Sequence, residues 1–316
     1  MGANATATTL RLRLAPGERP TWTGSTRRQD EETNVYEEII YEVDGPVAVI
    51  TLNRPHAMNA WTDSMAKEFF GALDQAANDP EVVGIVLTGA GRAFCAGADM
   101  NTLSNLSSGG SSPITDGASS EERPAEADRS GSTEDDFGGL YTKVMAIPKP
   151  VIAAINGAVA GMAYALALAC DIRYIAPEAP MLTAFAQRGL IAEWGLGWLL
   201  PRLVGPSVAL DLLYSSRKVR GEEAVRIGLA NEVVEADQVV ERAKEYVRGL
   251  AATSSPASMA VMKRQVYEDL HVGLGAAERR AAALMLESFG RPDFAEGVKS
   301  FLEKRPPNFP RIGSNG

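Results

Sequence analysis

The chain has 316 residues and a mass of 33.6 kDa, with 45% hydrophobic and 22% charged residues and a net charge of −9. That length fits one large domain, or one domain with a helical appendage, and no apolar run reaches the length of a membrane-spanning helix. The acidity argues against a nucleic-acid partner, and two cysteines (Cys95, Cys170) with two histidines (His56, His271) exclude a four-ligand Cys/His zinc site and a disulfide scaffold.

The reducing cytoplasm is the expected compartment, since cysteines are few and no compact apolar run of a secretory signal opens the chain. Met1-Gly2-Ala3-Asn4-Ala5-Thr6 fits the loose myristoylation pattern, which six residues match easily by chance. Residues 1–34 have little apolar periodicity and read as a flexible extension. Glu38 to Val43 and Val47 to Leu52 read as strands joined at Asp44-Gly45, a hairpin signal. Thr62-Asp63-Ser64 opens a helix to about Ala77, with Met65, Phe69, Leu73 and Ala76 on one face.

Val82 to Leu87 reads as a buried strand. Residues 104–132 are dense in Ser, Gly and acids and read as a disordered acidic insertion. From Ser104 to Phe137 there are eight acids and two bases, so most of the net charge sits there. A short helix over 140–145 leads to a strand at Val151 to Ile155, a small-residue helix over 157–169 and a strand at Ile172 to Ile175. This alternation predicts an α/β core over 35–204. Helices then dominate over 195–203, 206–214, 221–228, 236–252, 256–270, 274–289 and 293–304, broken by one strand at 231–234. They make a helical region over 205–309 and a tail at 310–316.

Two small-residue stretches follow buried strands. One runs from Leu87 to Met100 and contains Gly89, Gly91 and Gly97; the other is Asn156-Gly157-Ala158-Val159-Ala160-Gly161-Met162-Ala163. Small side chains let backbone N–H groups approach a ligand, and unpaired N–H groups at a helix start favour an oxygen carrying negative charge. Facing one another, two such stretches would give one oxyanion two donors, although tight strand-to-helix packing accounts for such glycines equally well.

Longer blocks carry a resemblance. Ile50-Thr51-Leu52-Asn53-Arg54-Pro55 with Asn59-Ala60, Leu87 through Asp99, Lys149 through Gly157, Cys170-Asp171-Ile172, Leu199 through Gly205 and Ala224 through Asn231 together resemble the crotonase, or enoyl-CoA hydratase/isomerase, superfamily. The resemblance implies an α/β, crotonase-like spiral core of repeated ββα units with a helical C-terminal trimerisation region. It implies a homotrimer or a homohexamer of two trimers. It implies an acyl-CoA substrate, with coenzyme A as part of the substrate, no separate cofactor and no metal. The backbone N–H groups of Ala96 and Met162 would hold the thioester oxygen. Ala57, Gly97, Ala98, Asp99, Gly161, Phe185 and Trp194 would line the substrate and CoA site.

Two departures bear on chemistry. Where dual-acid hydratases of the family carry glutamates, this chain has Ala165 and Phe185, which cannot move protons. Glu193 matches a position where other relatives place a working aspartate, and becomes the expected single acid/base; its alternative is a cap for the following helix. Asp99 reads equally as a turn or capping residue. Tyr164 and Cys95 read as core, and Trp61, Trp194 and Trp198 as pocket or core. Arg54, Arg92 and Arg188 read as phosphate contacts or solvated surface. The expected activity is enoyl-CoA hydration or double-bond migration through an enolate-like intermediate. The alternatives are a crotonase-type hydrolase, C–C lyase or dehalogenase using Glu193 as base or nucleophile, and a catalytically silent acyl-CoA-binding relative.

Overall fold

The computed structural model describes residues 36–109 and 142–312, so the N-terminal extension with its Met1–Thr6 pattern, and most of the acidic segment, lie outside the described residues. Two strands open the fold, β1 (Ile39–Asp44) and β2 (Val47–Leu52), paired antiparallel with Asp44 opposite Val47. Gly45 turns the chain between them with φ +58°, a left-handed conformation that suits a residue without Cβ. Helix α1 (Asp63–Asn78) follows. The Thr62 hydroxyl accepts the Met65 N–H at its start, and Met65, Phe69, Ala72, Leu73 and Ala76 are buried.

Next come β3 (Gly84–Gly89), β4 (Ala93–Cys95), α2 (Met100–Ser107), α3 (Lys143–Ala146), β5 (Val151–Ile155), β6 (Ala158–Ala160) and α4 (Met162–Ala169). The stretch from 157, read from sequence as helix throughout, begins with strand β6 and becomes helical only at Met162. Alanine's helix propensity is overridden there by pairing with a neighbouring strand. Helix α2 likewise corrects the acidic segment: residues 104–107 are helical rather than disordered.

β7 (Ile172–Ile175) and β8 (Met181–Leu182) complete the core, and β9 (Glu232–Val233) joins the larger sheet later. That sheet has the order β1-β2-β3-β5-β7-β9, parallel from β2 onward. A second, parallel sheet has the order β4-β6-β8. Each successive pair, β3 and β4, β5 and β6, β7 and β8, therefore places one strand in each sheet. β4 is followed by α2 and β6 by α4, so the chain advances as repeated ββα units that wind between two walls. All eight residues of α4 are buried in the core.

The remaining helices are α5 (Leu196–Val204), α6 (Pro206–Ser215), α7 (Gly221–Arg226), α8 (Val239–Thr253), α9 (Pro256–Asp269), α10 (Leu274–Phe289) and α11 (Pro292–Glu303). Helix α8 covers the outer face of the larger sheet, where Val239, Ala243 and Val247 pack with Val86, Ile152, Ala154 and Tyr174. Helix α9 is pinned to the core by a buried ion pair, Lys263 Nζ to Asp171 Oδ2 at 2.8 Å. Asp171 also accepts the Tyr267 hydroxyl and the Val151 N–H, and Lys263 donates to the carbonyls of Val144 and Lys149. Burial pushes the Lys263 pKa down while Asp171 pulls it up. Lys263→Met removes the cation from the largely buried Asp171, which keeps only its two neutral donors, so denaturant unfolding is expected to show a loss of about 3–5 kcal/mol.

Candidate active site

The two glycine-bearing stretches meet where β4 and β6 end. These strands are parallel neighbours, so their C-terminal ends lie side by side. Gly97 (φ +96°) and Gly161 (φ +57°) both leave their strands in left-handed conformations. A Cβ built on Gly97 would sit 2.8 Å from the Ala160 carbonyl oxygen, and one on Gly161 would sit 4.0 Å from Gly97 Cα. The close backbone approach therefore depends on glycine, most strictly at Gly97.

The segment 54–62 fixes what the first stretch offers. Pro55–Ala57 forms a 3-10 turn, and the fully buried Asn59 donates through Nδ2 to the carbonyls of Ala90, Ala93 and Phe94. The Ala96 N–H donates to Met58 O at 3.0 Å. This corrects the expectation that Ala96 supplies the free donor, because its N–H is already spent. The Gly97 N–H lies on the Cys95 sulfur's side and lowers its thiol pKa slightly against desolvation. The Asp99 N–H donates to Trp61 O at 3.0 Å, and the Trp61 N–H donates to Gly97 O at 2.8 Å.

Among Ala96 to Asp99, the N–H groups of Ala96 and Asp99 have backbone acceptors, that of Gly97 has only the Cys95 sulfur beside it, and that of Ala98 has no acceptor in the described residues. Its direction is also set. In a planar trans peptide the N–H points opposite to the C=O. The Gly97 carbonyl is aimed at Trp61, so the Ala98 N–H is aimed away from it. No local sequence signal separates Ala98 from Ala96; only the tertiary bonds to Met58 and Trp61 do. On the other strand, Met162 opens α4 directly after Gly161, and the Tyr164 N–H of its first turn donates to the Gly161 carbonyl at 3.0 Å.

Other expected site residues are distributed as follows. Asp99 accepts the Asn101 N–H at 2.9 Å and pairs with Arg54 at 3.1 Å, so it is a turn-forming carboxylate held by an arginine. The Asn101 N–H first, and then the Arg54 guanidinium, hold its pKa below the usual carboxylate value against desolvation. Ala57 ends the 3-10 turn beside Arg54. Arg92 is exposed and bonds the Met58 sulfur, and Arg188 is exposed and bonds the Ala184 carbonyl. Trp61 is fully buried, edge-on to Phe69 at 5.4 Å. Trp198 stacks on His271 at 5.1 Å with Arg202 over its ring at 4.0 Å, which joins it to the C-terminal helices. Cys95 is buried and its thiol is pushed up to about 12 by desolvation, an unreactive state. Tyr164 is buried, and desolvation raises its pKa too.

Ala165 is completely buried and Phe185 is 4% exposed, so apolar packing fills both positions expected to have lost a carboxylate. Glu193 is half-buried in the turn that leads into α5, a helix that packs against α4. Trp194 (φ +57°) and Gly195 (φ +76°) are successive left-handed residues, and the non-glycine one stores strain of about 1–3 kcal/mol. Gly195 is the N-cap of α5 and no side chain caps that helix, so the Glu193 carboxylate is not used as the cap. Desolvation raises its pKa, and a hydrogen bond from the Trp194 side chain opposes that.

A cavity of about 450 Å³ lined by Arg92, Asn156, Gly157, Glu178 and Glu235 lies at the opposite, N-terminal ends of β4 and β6. No cluster of three or more His, Cys, Asp or Glu side chains suited to a metal ion occurs among the described residues.

Residues 42–311 match the family model for enoyl-CoA hydratase/isomerase. The chain belongs to this family. A probable enoyl-CoA hydratase of Rhodobacter capsulatus is 36% identical to it over 87% of this chain and 98% of its own length. Crotonyl-CoA hydratase of Syntrophomonas wolfei is 33% identical, covering 87% and 98%. A 1,2-epoxyphenylacetyl-CoA isomerase of Escherichia coli is also 33% identical, covering 86% and 97%. The crystal structure of a putative enoyl-CoA hydratase from Streptomyces coelicolor superimposes with a TM-score of 0.76 at 29% identity, covering 90% of this chain and 98% of that one. The chain is thus an enzyme of the enoyl-CoA hydratase/isomerase type with the crotonase fold. No helix among the described residues is long and apolar enough to cross a membrane.

Gly97 gives the sharpest test of this geometry. Gly97→Ala drives a methyl into the Ala160 carbonyl, whereas Gly161→Ala meets no atom closer than 4.0 Å. Both strain a positive φ, at a cost of about 1–3 kcal/mol each. Thermal denaturation is expected to show the larger loss for Gly97→Ala, with turnover of enoyl-CoA abolished.

Proposed function

We propose that this enzyme binds an acyl-CoA thioester with its carbonyl oxygen between the N–H groups of Ala98 and Met162, and that Glu193 moves the proton. The two donors stabilise the negative charge that develops on the oxygen when the α-carbon loses a proton. Coenzyme A enters as part of the substrate, and the chain uses no cofactor of its own. The supporting observation is the convergence of Gly97 and Gly161, which brings the two donor-bearing stretches into backbone contact.

With alanine and phenylalanine at positions 165 and 185, a single carboxylate remains to do the proton chemistry. Removing a proton from one carbon and returning it to another on the same acyl group needs one such group. Adding water across a double bond needs a second to orient the water. Migration of a double bond is therefore the favoured reaction, with hydration as the competing outcome of the same assay.

A half-buried carboxyl with a raised pKa keeps its proton to a higher pH than an ordinary glutamate. If Glu193 is the base, kcat/KM rises with pH through that raised pKa, and the limb disappears in Glu193→Gln. The variant is expected to lose at least about 100-fold in kcat on 2-enoyl- and 3-enoyl-CoA substrates, with products identified by mass. The proton is bound more tightly in the folded than in the unfolded state. The charged form therefore opposes folding as pH rises past the ordinary carboxylate range, and Glu193→Gln is expected to melt no lower than the parent at neutral pH. Unchanged turnover in the variant would remove Glu193 from the mechanism.

The same reading extends to assembly as a homotrimer or a pair of trimers. Leu274, Leu286, Phe301 and Leu302 on α10 and α11 are strongly exposed, an apolar surface suited to burial between subunits. Light scattering at micromolar concentration is expected to give three or six times the chain mass, and a monomer mass would refute it.

A further inference from the structure

Arg54 sits at the head of a hydrogen-bonded series that ends at the Ala98 N–H. Its Nη1 donates to the Ala60 carbonyl at 2.5 Å. That carbonyl shares a peptide unit with the Trp61 N–H, which donates to the Gly97 carbonyl at 2.8 Å. The Gly97 carbonyl in turn shares a peptide unit with the Ala98 N–H. Two trans peptide planes thus stand head to tail between a guanidinium and the donor.

We propose that Arg54 is a positioning and polarising residue, which acts through the peptide units 60–61 and 97–98 to orient and strengthen the Ala98 N–H as a donor to the thioester oxygen. The inference rests on the reading that this oxygen binds at Ala98. Each carbonyl that accepts a bond from a cationic or polarised donor withdraws electron density from its own N–H. Chains of such bonds reinforce one another by roughly 10–30% per bond in a low-dielectric surround. The head of the series is shielded from water: the Arg54 side chain is only 16% exposed. It is held in place by Glu38 at 3.1 Å on one side and Asp99 at 3.1 Å on the other. The Arg54 N–H itself bonds the Asn59 side chain, and the Thr62 hydroxyl bonds Glu38. The guanidinium therefore cannot drift from the Ala60 carbonyl without breaking several bonds.

An arginine that serves only as an ion-pair hub would behave differently, and three variants separate the two roles. Arg54→Gln keeps a neutral donor near Ala60 and removes the charge, Arg54→Lys keeps the charge, and Glu38→Gln removes one ion-pair partner while leaving the Arg54–Ala60 bond. The probe is cinnamoyl-CoA labelled with ¹³C at the thioester carbonyl, whose stretching band falls when the oxygen accepts strong hydrogen bonds. Band position in the bound state is read by difference infrared spectroscopy, beside kcat and KM for enoyl-CoA turnover corrected for the folded fraction.

The expected result is a band in Arg54→Gln displaced back toward its position in water. With it come a kcat lowered about 10-fold and a KM within about twofold, since the interaction is stronger in the transition state than in the ground state. Arg54→Lys recovers most of both, and Glu38→Gln melts lower but keeps the parental band and kcat. An unmoved band and kcat in Arg54→Gln, or the same displacement in Glu38→Gln, would overturn the proposal and leave Arg54 a structural residue. Should the parent protein itself not lower the carbonyl band of the bound thioester, the oxyanion reading fails first and this inference falls with it. Should Arg54→Gln fail to fold, Arg54→Lys decides: a parental band at lowered melting temperature supports the relay, and a band displaced as far as water overturns it.

Discussion

The contact on which the rest of the site depends is the parallel pairing of β4 with β6. These strands are only three residues each, yet they carry the chain from the large sheet to the small one and back. Their parallel alignment is what sets the two glycine turns side by side, and a side chain at Gly97 would hold them apart. Every other feature of the region builds on this. Segment 54–62 ties down the N–H groups of Ala96 and Asp99, and α4 starts where β6 ends. On the proposed reading the result is a pocket rim whose donors are backbone groups, not the side chains of the residues that carry them.

The larger sheet and nearly all of the helices were legible in the sequence. Runs such as Ile85 to Leu87 and Val151 to Ile155 are continuously apolar because they are covered on both faces, and the helices show their buried stripes at the expected period. The smaller sheet was not legible at all. Its strands are two or three residues long, too short for a period to register, and Ala158-Val159-Ala160 has the composition of a helix. Those residues are extended because Ala93, Cys95, Met181 and Leu182 pair with them, partners 64 or 65 residues before and 22 after. Helix α2 was hidden for the opposite reason, since its Ser- and Asn-containing sequence reads as loop.

The candidate site was legible to the level of the segment and no finer. Glycine content pointed to the two stretches that do come together. Which N–H within the first stretch is available depends on acceptors contributed by Met58 and Trp61, and on the orientation of one peptide plane. None of that is written in local composition. The missing glutamates, by contrast, could be read directly: the structure adds that Ala165 and Phe185 are packed into the core, so a substituted water has no polar partner at either position.

This division between backbone and side chain has a consequence for what the enzyme can catalyse. A backbone oxyanion site lowers the cost of an enolate for any acyl-CoA, and so it does not by itself choose the reaction. The choice falls to whatever side chains handle protons. Relatives at the same 33% identity carry the names of a hydratase and an epoxide isomerase, which shows how far the reaction moves while the framework stays fixed. On the proposed reading, this chain assigns both proton steps to Glu193. A lone carboxyl that takes a proton becomes the acid that gives it back, so it returns to its starting state only if the substrate also recovers its proton. Isomerisation meets that condition within the acyl group itself. Hydration meets it only if the added water is held where it can give its proton to the same carboxyl for delivery to the α-carbon, and the two positions that would organise such water are apolar.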